Sequence, residues 1–332
     1  TPNSVRALDG LGIVPALKHT AARPTHRISR TWDTGEETSR LPMSDAAQAQ
    51  YGAPQLTMHR ADLLQALTDV LPADTIRLGA RLEKVAEGAE AVRATFADGR
   101  AEEFDILVGA DGIHSVVRTA LQGPEHPTFT GVVAYRAVIP MDRLDANLPN
   151  LDAFTKWWGP QEQTQIVSFP LNRGRDLFVF ATTPQDSWRE ESWSCPGDVL
   201  ELRAAYAHFH PEARALLQAC DAVLKSALYV RDPLPHWNGE RITLLGDACH
   251  PMMPFMAQGA GQAIEDAVVL ARCLHAPDDD AAGPSARLDR YQRARRDRTA
   301  RIQVGSRQNT WLKTGGNGDW VYSYDAWEVP LP

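Results

Sequence analysis

One stretch of the chain places an acidic residue, a histidine and a glycine-rich segment close together in sequence. Asp247 and His250 follow an apolar, β-rich run at residues 242–245 and precede a proline-rich turn. The apolar residues that come next recur at helical spacing, and this segment opens on Gly259, Ala260 and Gly261. The pattern predicts a buried strand, a carboxylate at its end and the start of a helix nearby.

This combination suits a particular kind of ligand. The start of a helix exposes backbone N–H groups and the positive end of the helix dipole, and small residues let a ligand approach the backbone. An ionised aspartate only accepts hydrogen bonds, so it suits the hydroxyl groups of a sugar-like chain. A molecule with a polarised, reducible ring and a polyol tail would use both features, and flavin has this shape.

Two long motifs resemble those of one enzyme family. Residues 246–261, which include Asp247, His250 and Pro251, are similar to the second FAD motif of the single-component aromatic flavoprotein monooxygenases, the group of salicylate hydroxylase and 6-hydroxynicotinate 3-monooxygenase. Residues 105–118 resemble the Asp-Gly motif of the same family. Two such motifs in the right order are more specific than an isolated glycine pattern.

Shorter similarities extend the resemblance over nearly the whole chain, at residues 59–63, 131–136 and 320–327. The resemblance implies that FAD is contacted by Arg60, Leu82, Asp111, Asp247, Gly259, Ala260 and Gly261. It implies that the substrate is contacted by Pro251, Ser168 and one of the neighbours Tyr135 and Arg136, since alternation along a strand lets only one of these two face the ligand.

The family begins with a βαβ unit that carries a Gly-x-Gly-x-x-Gly pattern and holds the FAD pyrophosphate at a helix start. This sequence contains no such unit, and its opening at Thr1-Pro2-Asn3 resembles the turn that follows it. We therefore expect that the natural protein has a longer N-terminus, and that a chain beginning at Thr1 binds FAD weakly.

The predicted fold class is α/β, or α+β over the whole chain. Residues 1–125 and 241–305 are predicted to form a discontinuous Rossmann-like FAD-binding domain that lacks its first βαβ unit, and residues 306–332 a C-terminal extension with helices. Residues 126–240 are predicted to form a substrate domain with an antiparallel sheet. Its strands are expected at residues 132–138, 153–158, 165–169 and 177–181.

Further elements are predicted from local patterns. Helices are expected from Asn3 or Ser4 to about Gly10, after Ser115, and through Leu200, Ala204 and Phe209. A strand is expected near residues 75–78, and a hairpin is expected between residues 92–96 and 103–108.

Composition is typical of a globular enzyme. Of the 332 residues, 43% are hydrophobic and 23% are charged, and the formal net charge is −8. An acidic chain is a poor match for nucleic acid, because phosphate binding requires a basic surface. The four cysteines, at positions 195, 220, 249 and 273, show neither metal-ligand spacing nor a disulfide pattern. We expect no metal site and no membrane span, and we interpret Cys249 as a buried filler rather than a nucleophile.

The resemblance implies a reaction in which NADH or NADPH reduces FAD, O₂ forms a C4a-hydroperoxide on the flavin, and an activated hydroxylated ring attacks its distal oxygen. The substrate would be a small aromatic acid of the salicylate, hydroxybenzoate or 6-hydroxynicotinate class. A cytoplasmic enzyme is expected, and a homodimer is compatible with the sequence.

His250 is the candidate catalytic residue. The substrate hydroxyl must lose its proton to make the ring electron-rich, and histidine titrates in the working range. The resemblance implies that this turn lies near the flavin, so His250 could serve as the base or as a proton relay. The alternative is a structural histidine that fixes the turn.

Substrate identity stays open at this stage. The segment Lys156-Trp157-Trp158 resembles the hydroxynicotinate enzymes, which carry a histidine and a tyrosine on the next pocket strand. The matching positions here are interpreted as Thr164 and Ser168, which makes salicylate or another hydroxybenzoate at least as strong a candidate.

Two other classes of function also remain. The chain could be a binding protein of the same fold that has lost catalysis, which the intact mass and N-terminal sequence of the native protein would test. It could also be a flavin oxidoreductase that inserts no oxygen into its product. A basic segment, with arginines at positions 287, 290, 293, 295, 296, 298 and 301, is interpreted as a solvated helix face, and attraction of the nicotinamide cofactor's phosphates is the alternative.

Overall fold

The computed structural model describes residues 1–190, 192–275, 283–313 and 317–332. In chain order its strands are β1 (His26–Thr31), β2 (Glu37–Pro42), β3 (Leu82–Glu87), β4 (Val92–Phe96), β5 (Ala101–Phe104), β6 (Leu107–Gly109), β7 (Thr128–Pro140), β8 (Phe154–Trp158), β9 (Gln165–Leu171), β10 (Asp176–Pro184), β11 (Pro196–Gly197), β12 (Val223–Val230) and β13 (Ile242–Leu244). Its helices are α1 (Pro2–Gly10), α2 (Val14–Leu17), α3 (Ser44–Tyr51), α4 (Arg60–Thr68), α5 (Val116–Gln122), α6 (Val199–Ala205), α7 (Pro211–Gln218), α8 (Gly259–Leu274), α9 (Pro284–Arg307) and α10 (Asp319–Tyr322).

The chain divides into two compact units. Unit 1 comprises Thr1–Val70, Phe129–Leu228 and Asn309–Ser323, and unit 2 comprises Leu71–Thr128, Tyr229–Gln308 and Tyr324–Pro332. This division differs from the predicted domain boundaries, because residues 1–70 belong with the large sheet and not with residues 241–305. The reason is that β1 pairs in parallel with β8, so the first strands of the chain extend that sheet.

Unit 1 is built on an eight-stranded sheet with the strand order β11-β12-β7-β10-β9-β8-β1-β2. Buried residues alternate along β7, where Val133, Tyr135, Ala137 and Ile139 belong to one core cluster. The period of two places them on a single face, and the same cluster contains the apolar residues of α6 and α7. These two helices therefore cover one face of the sheet.

The strands predicted between residues 132 and 181 are present as β7 to β10, and all their neighbouring pairs except β1–β8 are antiparallel where register is defined. Strand β1 was not predicted, because its sequence has no clean alternation and it buries Arg27 and Arg30. The strand predicted at residues 75–78 is wrong: this segment is exposed and forms turns. Four residues are too few for an alternating pattern of apolar side chains to distinguish a strand from an exposed loop.

Unit 2 contains the parallel pair β6–β13 and the separate three-stranded sheet β3-β4-β5. The predicted hairpin is present as β4–β5. The end of its predicted second strand belongs to a separate strand, β6, which pairs with β13. Gly109 ends β6 where a strand and a helix pack closely. A Cβ atom there would lie 2.6 Å from Cβ of Val117 and 2.9 Å from Cδ2 of Leu244. Only glycine fits without displacing α5 or β13.

Helix ends follow the predictions in three places and depart from them in two. Helix α1 ends at Gly10, although its cap is Thr1, and α5 begins after Ser115, whose Oγ accepts a hydrogen bond from the Arg118 backbone N–H. Helix α8 begins at Gly259 as predicted. Helix α6 ends at Ala205, so Phe209 lies beyond it in the turn before α7.

Candidate active site

The turn after β13 forms the centre of the candidate site in unit 2. The chain leaves the strand through a short 3₁₀ turn, Gly246–Ala248, in which Gly246 has a φ of 62°. A Cβ at Gly246 would lie 3.0 Å from Cβ of Ala263 on α8, so this turn and the helix are in close contact. Asp247 is the exposed residue of the turn, and its neighbours Gly246 and Ala248 are buried.

The first turn of α8 is open to a ligand. Its N-cap residue, Gln258, makes no side-chain capping bond, so the first backbone N–H groups of the helix are not satisfied by a capping side chain. Ala260 is exposed, and a Cβ on Gly259 would meet only Cγ of Met252, at 3.8 Å. An exposed carboxylate and an uncapped start of a long helix therefore lie on consecutive elements, as the predicted binding of flavin by Asp247, Gly259, Ala260 and Gly261 requires.

His250 lies beneath this turn and is 2% exposed. Its Nε2 donates to Oδ2 of Asp266 over 2.5 Å, and its backbone N–H donates to the carbonyl of Gly246 over 2.8 Å. The ring also packs against Trp237, with centroids 5.6 Å apart. Nδ1 is buried and has no hydrogen-bond partner among the described residues. The hydrogen bond between His250 and Asp266 anchors the turn to α8. It leaves Nδ1 of His250 as the nitrogen that can accept a proton.

Asp266 connects His250 to a buried charge network. Arg295 of α9 donates from Nε to Oδ1 of Asp266 over 2.7 Å and pairs with Glu265 over 2.7 Å, while Arg298 donates to Glu265 over 2.9 Å. Burial would raise the pKa of Asp266, but the charges and hydrogen bonds of His250 and Arg295 outweigh it and hold that pKa at about 2. The carboxylate therefore stays ionised.

This network corrects the interpretation of the arginine-rich segment as a solvated face. Arg295 is fully buried in α9 and pairs with Glu265. Arg298 is partly buried and pairs with the same carboxylate of Glu265. The sequence could have suggested this arrangement, because Glu265 and Asp266 are acidic residues inside the apolar pattern of α8 and require buried cations. The apolar contacts predicted for the segment, Leu288, Tyr291 and Ile302, are all buried.

Arg118 holds the same turn from the other side. It is buried, and its guanidinium donates to the carbonyls of Ala248 over 3.2 Å and Cys249 over 2.9 Å. Glu125 pairs with both Arg118 and Arg231, which fixes the direction of the guanidinium groups. The sequence motif included Arg118 but gave it no role, because a contact with backbone carbonyls leaves no pattern in sequence.

Asp111 lies at the start of α5 and accepts hydrogen bonds from its first turn. The donors are the backbone N–H groups of Val116, at 2.8 Å, and Val117, at 3.3 Å, together with Oγ of Ser115. Leu82 begins β3, where it pairs with Phe96. Contacts of Asp111 and Leu82 with FAD stay predictions, and the local structure gives Asp111 a capping role of its own.

Pro251 is buried in the loop that joins the turn to α8. Its carbonyl accepts from Nε2 of Gln303 over 3.0 Å, and the N–H of Met253 donates to Oγ of Ser306 over 3.1 Å. Helix α9 therefore supports this loop through two polar side chains. Its predicted contact with substrate stays a prediction.

The remaining predicted residues lie in unit 1. Arg60 is the first residue of α4 and is exposed. Tyr135 and Ser168 lie on the sheet face that packs against α6 and α7: Tyr135 belongs to the core cluster, and Ser168 lines a small cavity of about 10 Å³ with Trp157 and Leu216. Both side chains therefore lie on the face covered by α6 and α7, and their contacts with substrate stay predictions.

The opposite face of the sheet carries polar and aromatic side chains that the sequence interpretation missed. Lys156, Trp158, Gln165 and Phe169 alternate with the core residues of β8 and β9, and the register pairs Lys156 with Val167 and Trp158 with Gln165. The sequence signal for these residues is the alternation of side chains between the two faces along β8 and β9. Because Trp157 and Ile166 belong to the core, their neighbours must face the other way.

The surroundings of the cysteines and of the acidic and histidine side chains are visible in the described residues. Cys249 is fully buried, and burial raises the pKa of its thiol well above the usual value. All four cysteines are free. The part of the chain that the structure describes contains no group of three or more His, Cys, Asp or Glu residues arranged for a metal ion. None of the described helices is both long and apolar enough to cross a lipid bilayer.

Comparison with known proteins defines the class. The family described as FAD binding domain matches residues 1–305 of the chain. The 6-hydroxynicotinate 3-monooxygenase of Bordetella bronchiseptica is 40% identical over 331 residues, which cover 99% of this chain and 85% of that protein. The chain belongs to the FAD-dependent aromatic monooxygenases.

Other relatives are spread over several substrates. The 3-hydroxybenzoate 6-hydroxylase 1 of Aquipseudomonas alcaligenes is 33% identical and covers 92% of this chain and 76% of its own length. A solved structure of a salicylate hydroxylase substrate complex superimposes with a TM-score of 0.82 at 27% identity, covering 98% of this chain and 87% of that one. The family is shared, whereas the aromatic compounds in these names differ.

Proposed function

We propose that this protein hydroxylates a small hydroxylated aromatic acid, with bound FAD and with NADH or NADPH as the reductant. The observation that carries the proposal is the pairing of exposed Asp247 with the open first turn of α8. When bound, FAD supplies the reduction of O₂ that hydroxylation needs. The residues of the chain then have three tasks: to hold FAD, to stabilise its negative charge, and to manage the substrate proton.

The first two tasks fall to the turn and the helix. Asp247 offers a carboxylate to hydroxyl donors, which fits a ribityl chain. The N–H groups at Gly259, Ala260 and Gly261 offer a positive potential to a group that becomes anionic. Arg60, Leu82 and Asp111 are proposed as further contacts with FAD on the family resemblance.

The third task is proposed for His250. Asp266 accepts the Nε2 proton, so Nδ1 is the nitrogen with a free lone pair in that tautomer. A histidine whose one nitrogen is fixed by a carboxylate can take a proton on the other and be stabilised as the cation. We propose that His250 accepts the proton of the substrate hydroxyl, directly or through a relay.

The substrate class is proposed as hydroxynicotinate or hydroxybenzoate, in line with the relatives. The test is to incubate the FAD-loaded protein with NADH or NADPH and with 6-hydroxynicotinate, 3-hydroxybenzoate or salicylate under ¹⁸O₂. We expect substrate-stimulated NAD(P)H oxidation and one labelled oxygen in the product. NAD(P)H oxidation that no hydroxylated aromatic acid stimulates would exclude the proposal, and a product without label would indicate a flavin oxidoreductase that inserts no oxygen.

A further inference from the structure

Two turns of unit 2 leave the same edge of its parallel strand pair. Because β6 and β13 run in parallel, the chain turns at their carboxyl ends in both places. Residues 110–115 form the turn after β6, and Gly246–Ala248 begins the turn after β13. The proposed function places Asp111 of the first turn and Asp247 of the second at the flavin. One ligand can contact both turns well only if their spacing is fixed.

A buried arginine holds each turn by its backbone carbonyls. Arg231, which follows β12, donates from Nε and Nη2 to the carbonyl of Ile113 in the turn after β6, over 3.1 Å and 2.9 Å. Arg118 of α5 donates from Nη1 to the carbonyls of Ala248 and Cys249 in the turn after β13, over 3.2 Å and 2.9 Å. The arrangement is crossed, since the arginine that follows the first turn in sequence holds the second.

One carboxylate oxygen joins the two arginines. Oε1 of Glu125 accepts a hydrogen bond from Nε of Arg118 and lies 2.9 Å from Nη1 of Arg231. Arg118 and Arg231 are 2% and 7% exposed, whereas the Glu125 side chain is 41% exposed. Burial and the charge of Arg118 lower the pKa of Arg231, and the charge of Glu125 raises it. The carboxylate therefore offsets the repulsion between two buried guanidinium groups and holds them side by side.

A continuous path of polar contacts connects the two turns. Its members in order are Ile113, Arg231, Glu125, Arg118 and the carbonyls of Ala248 and Cys249. The turn after β13 also has a separate support, because Nε2 of Gln303 donates to the carbonyl of Pro251 over 3.0 Å. Substitution of Glu125 leaves that hydrogen bond intact, so it interrupts the path without removing every support of the turn.

Building on the proposed function, we infer that Glu125 is a positioning residue that couples these two turns, so that they contact FAD as one unit. Glu125 acts through Arg118 and Arg231 and takes no part in oxygen transfer. A carboxylate that only stabilised the fold would leave the contributions of the two turns to FAD affinity independent of each other. Coupling of those contributions is therefore the property to measure.

The first experiment is a double-variant cycle on FAD affinity, measured by flavin fluorescence as the apoprotein is titrated. Arg118→Lys and Arg231→Lys keep the positive charge but lose the fork with which arginine binds two partners in different directions. Each should raise Kd by about fivefold to tenfold, and with coupled turns the double variant should raise it no more than the worse single variant. Independent turns would give the product of the two factors.

Substitutions of Glu125 test the link itself. Glu125→Gln removes the charge and should raise Kd about as much as the double lysine variant, whereas Glu125→Asp keeps the charge on a shorter side chain and should give an intermediate value. With saturating FAD, the visible circular dichroism of the bound flavin should change in Glu125→Gln, because the two turns then hold it differently. Glu90→Gln, at an exposed glutamate of the same unit, is the control and should change neither Kd nor the spectrum.

Hydrogen exchange followed by mass spectrometry tests the coupling without a ligand. In the apoprotein of Glu125→Gln, backbone amides of residues 110–115 and 246–250 should exchange faster together, by about threefold or more, because the loss of one contact loosens both turns. Amides of β3, β4 and β5 in the same unit should exchange at the parental rate. Faster exchange in all of these strands would indicate loss of stability throughout the unit instead of coupling.

The outcomes separate the inference from the proposed function. If the double lysine variant matches the worse single variant and both turns exchange faster in Glu125→Gln, the inference holds. If the two factors multiply, or if only one turn exchanges faster, the inference is wrong while the proposed function stands. If Glu125→Gln does not fold, the lysine variants decide by the same comparison of factors. If the unsubstituted protein binds no FAD, both proposals fail.

Discussion

His250 and Asp266 form a fully enclosed pair, with Nε2 and Oδ2 separated by 2.5 Å and neither side chain more than 2% exposed. Asp266 also accepts hydrogen bonds from Arg295 and from the backbone N–H of Gly246. One carboxylate therefore connects the turn after β13, helix α8 and helix α9. The buried carboxylate of Asp266 therefore holds the turn that carries Asp247 in place.

The first prediction concerns that carboxylate. Asp266→Asn should lower the free energy of unfolding by about 3 kcal/mol, because it removes one of the two buried carboxylates that pair with Arg295 and the acceptor of the His250 Nε2–H. Urea unfolding followed by circular dichroism measures the change. Asp289→Asn, in the exposed part of α9, is the control and should cost less than about 0.5 kcal/mol. Equal stability of Asp266→Asn and the parent would show that the network contributes nothing.

A second prediction follows from the lowered pKa of Asp266, about 2 in the folded protein against an ordinary 3.8. As pH falls, the unfolded chain takes up this proton first, so the stability from the ionised pair is present above about pH 4 and is lost as pH falls toward about 2. The difference in unfolding free energy between the parent and Asp266→Asn should therefore shrink between about pH 4 and about pH 2. A difference that stays constant over this range would contradict the assignment.

The third prediction tests the contact between Asp247 and the flavin. Asp247→Ala should weaken FAD binding by roughly tenfold or more, because a charge-assisted hydrogen bond is typically worth about 1.5–3 kcal/mol. Asp247→Asn keeps an acceptor oxygen and should lose less. Titration of the apoprotein with FAD, followed by flavin fluorescence, gives both values. Unchanged affinity in Asp247→Ala would place the carboxylate away from the ligand.

The fourth prediction separates ligand binding from folding at the start of α8. A methyl group at Gly259 meets only Met252, so Gly259→Ala should fold with near-parental stability. The same methyl group occupies the surface at which a ligand would approach the backbone, so FAD affinity should fall. Gly109→Ala is the opposite case, since its Cβ would lie 2.6 Å from a side-chain carbon, and it should lower stability by about 1–3 kcal/mol.

The sequence predicted those parts of the site that depend on local pattern. The end of β13, the place of Asp247 just after it and the start of α8 at Gly259 follow from an apolar run, a glycine and helical spacing. The family resemblance extended these local elements to a cofactor and a reaction class.

Other parts of the structure depend on partners far away in sequence. The pairing of Asp266 with Arg295, the contact of Arg118 with the carbonyl of Cys249, and the addition of β1 to the large sheet are examples. Tyr135 shows the limit most clearly: a strand was predicted correctly, but its two faces could be assigned only after α6 and α7 had covered one of them.

The last prediction distinguishes the two roles of His250. If it accepts the substrate proton, His250→Asn should leave the anaerobic reduction of FAD by NAD(P)H near normal. It should slow the hydroxylation step by about 10²–10⁴-fold, so the yield of hydroxylated product per NAD(P)H should fall. The yield should partly recover at higher pH, where the substrate hydroxyl ionises without a base. Stopped-flow absorbance follows the reduction, and chromatography measures the product. His126→Asn, at an exposed histidine, is the control and should change neither quantity.

If His250 only anchors the turn, a different pattern is expected. His250→Asn would then lower stability in parallel with Asp266→Asn, and FAD affinity, FAD reduction and product yield would fall together, because the turn and the start of α8 would lose their common support. A double variant of His250 and Asp266 would be no less stable than the less stable single variant, since both remove the same pair. Normal FAD reduction with selective loss of hydroxylation cannot arise in this way, so that result would assign the proton to His250.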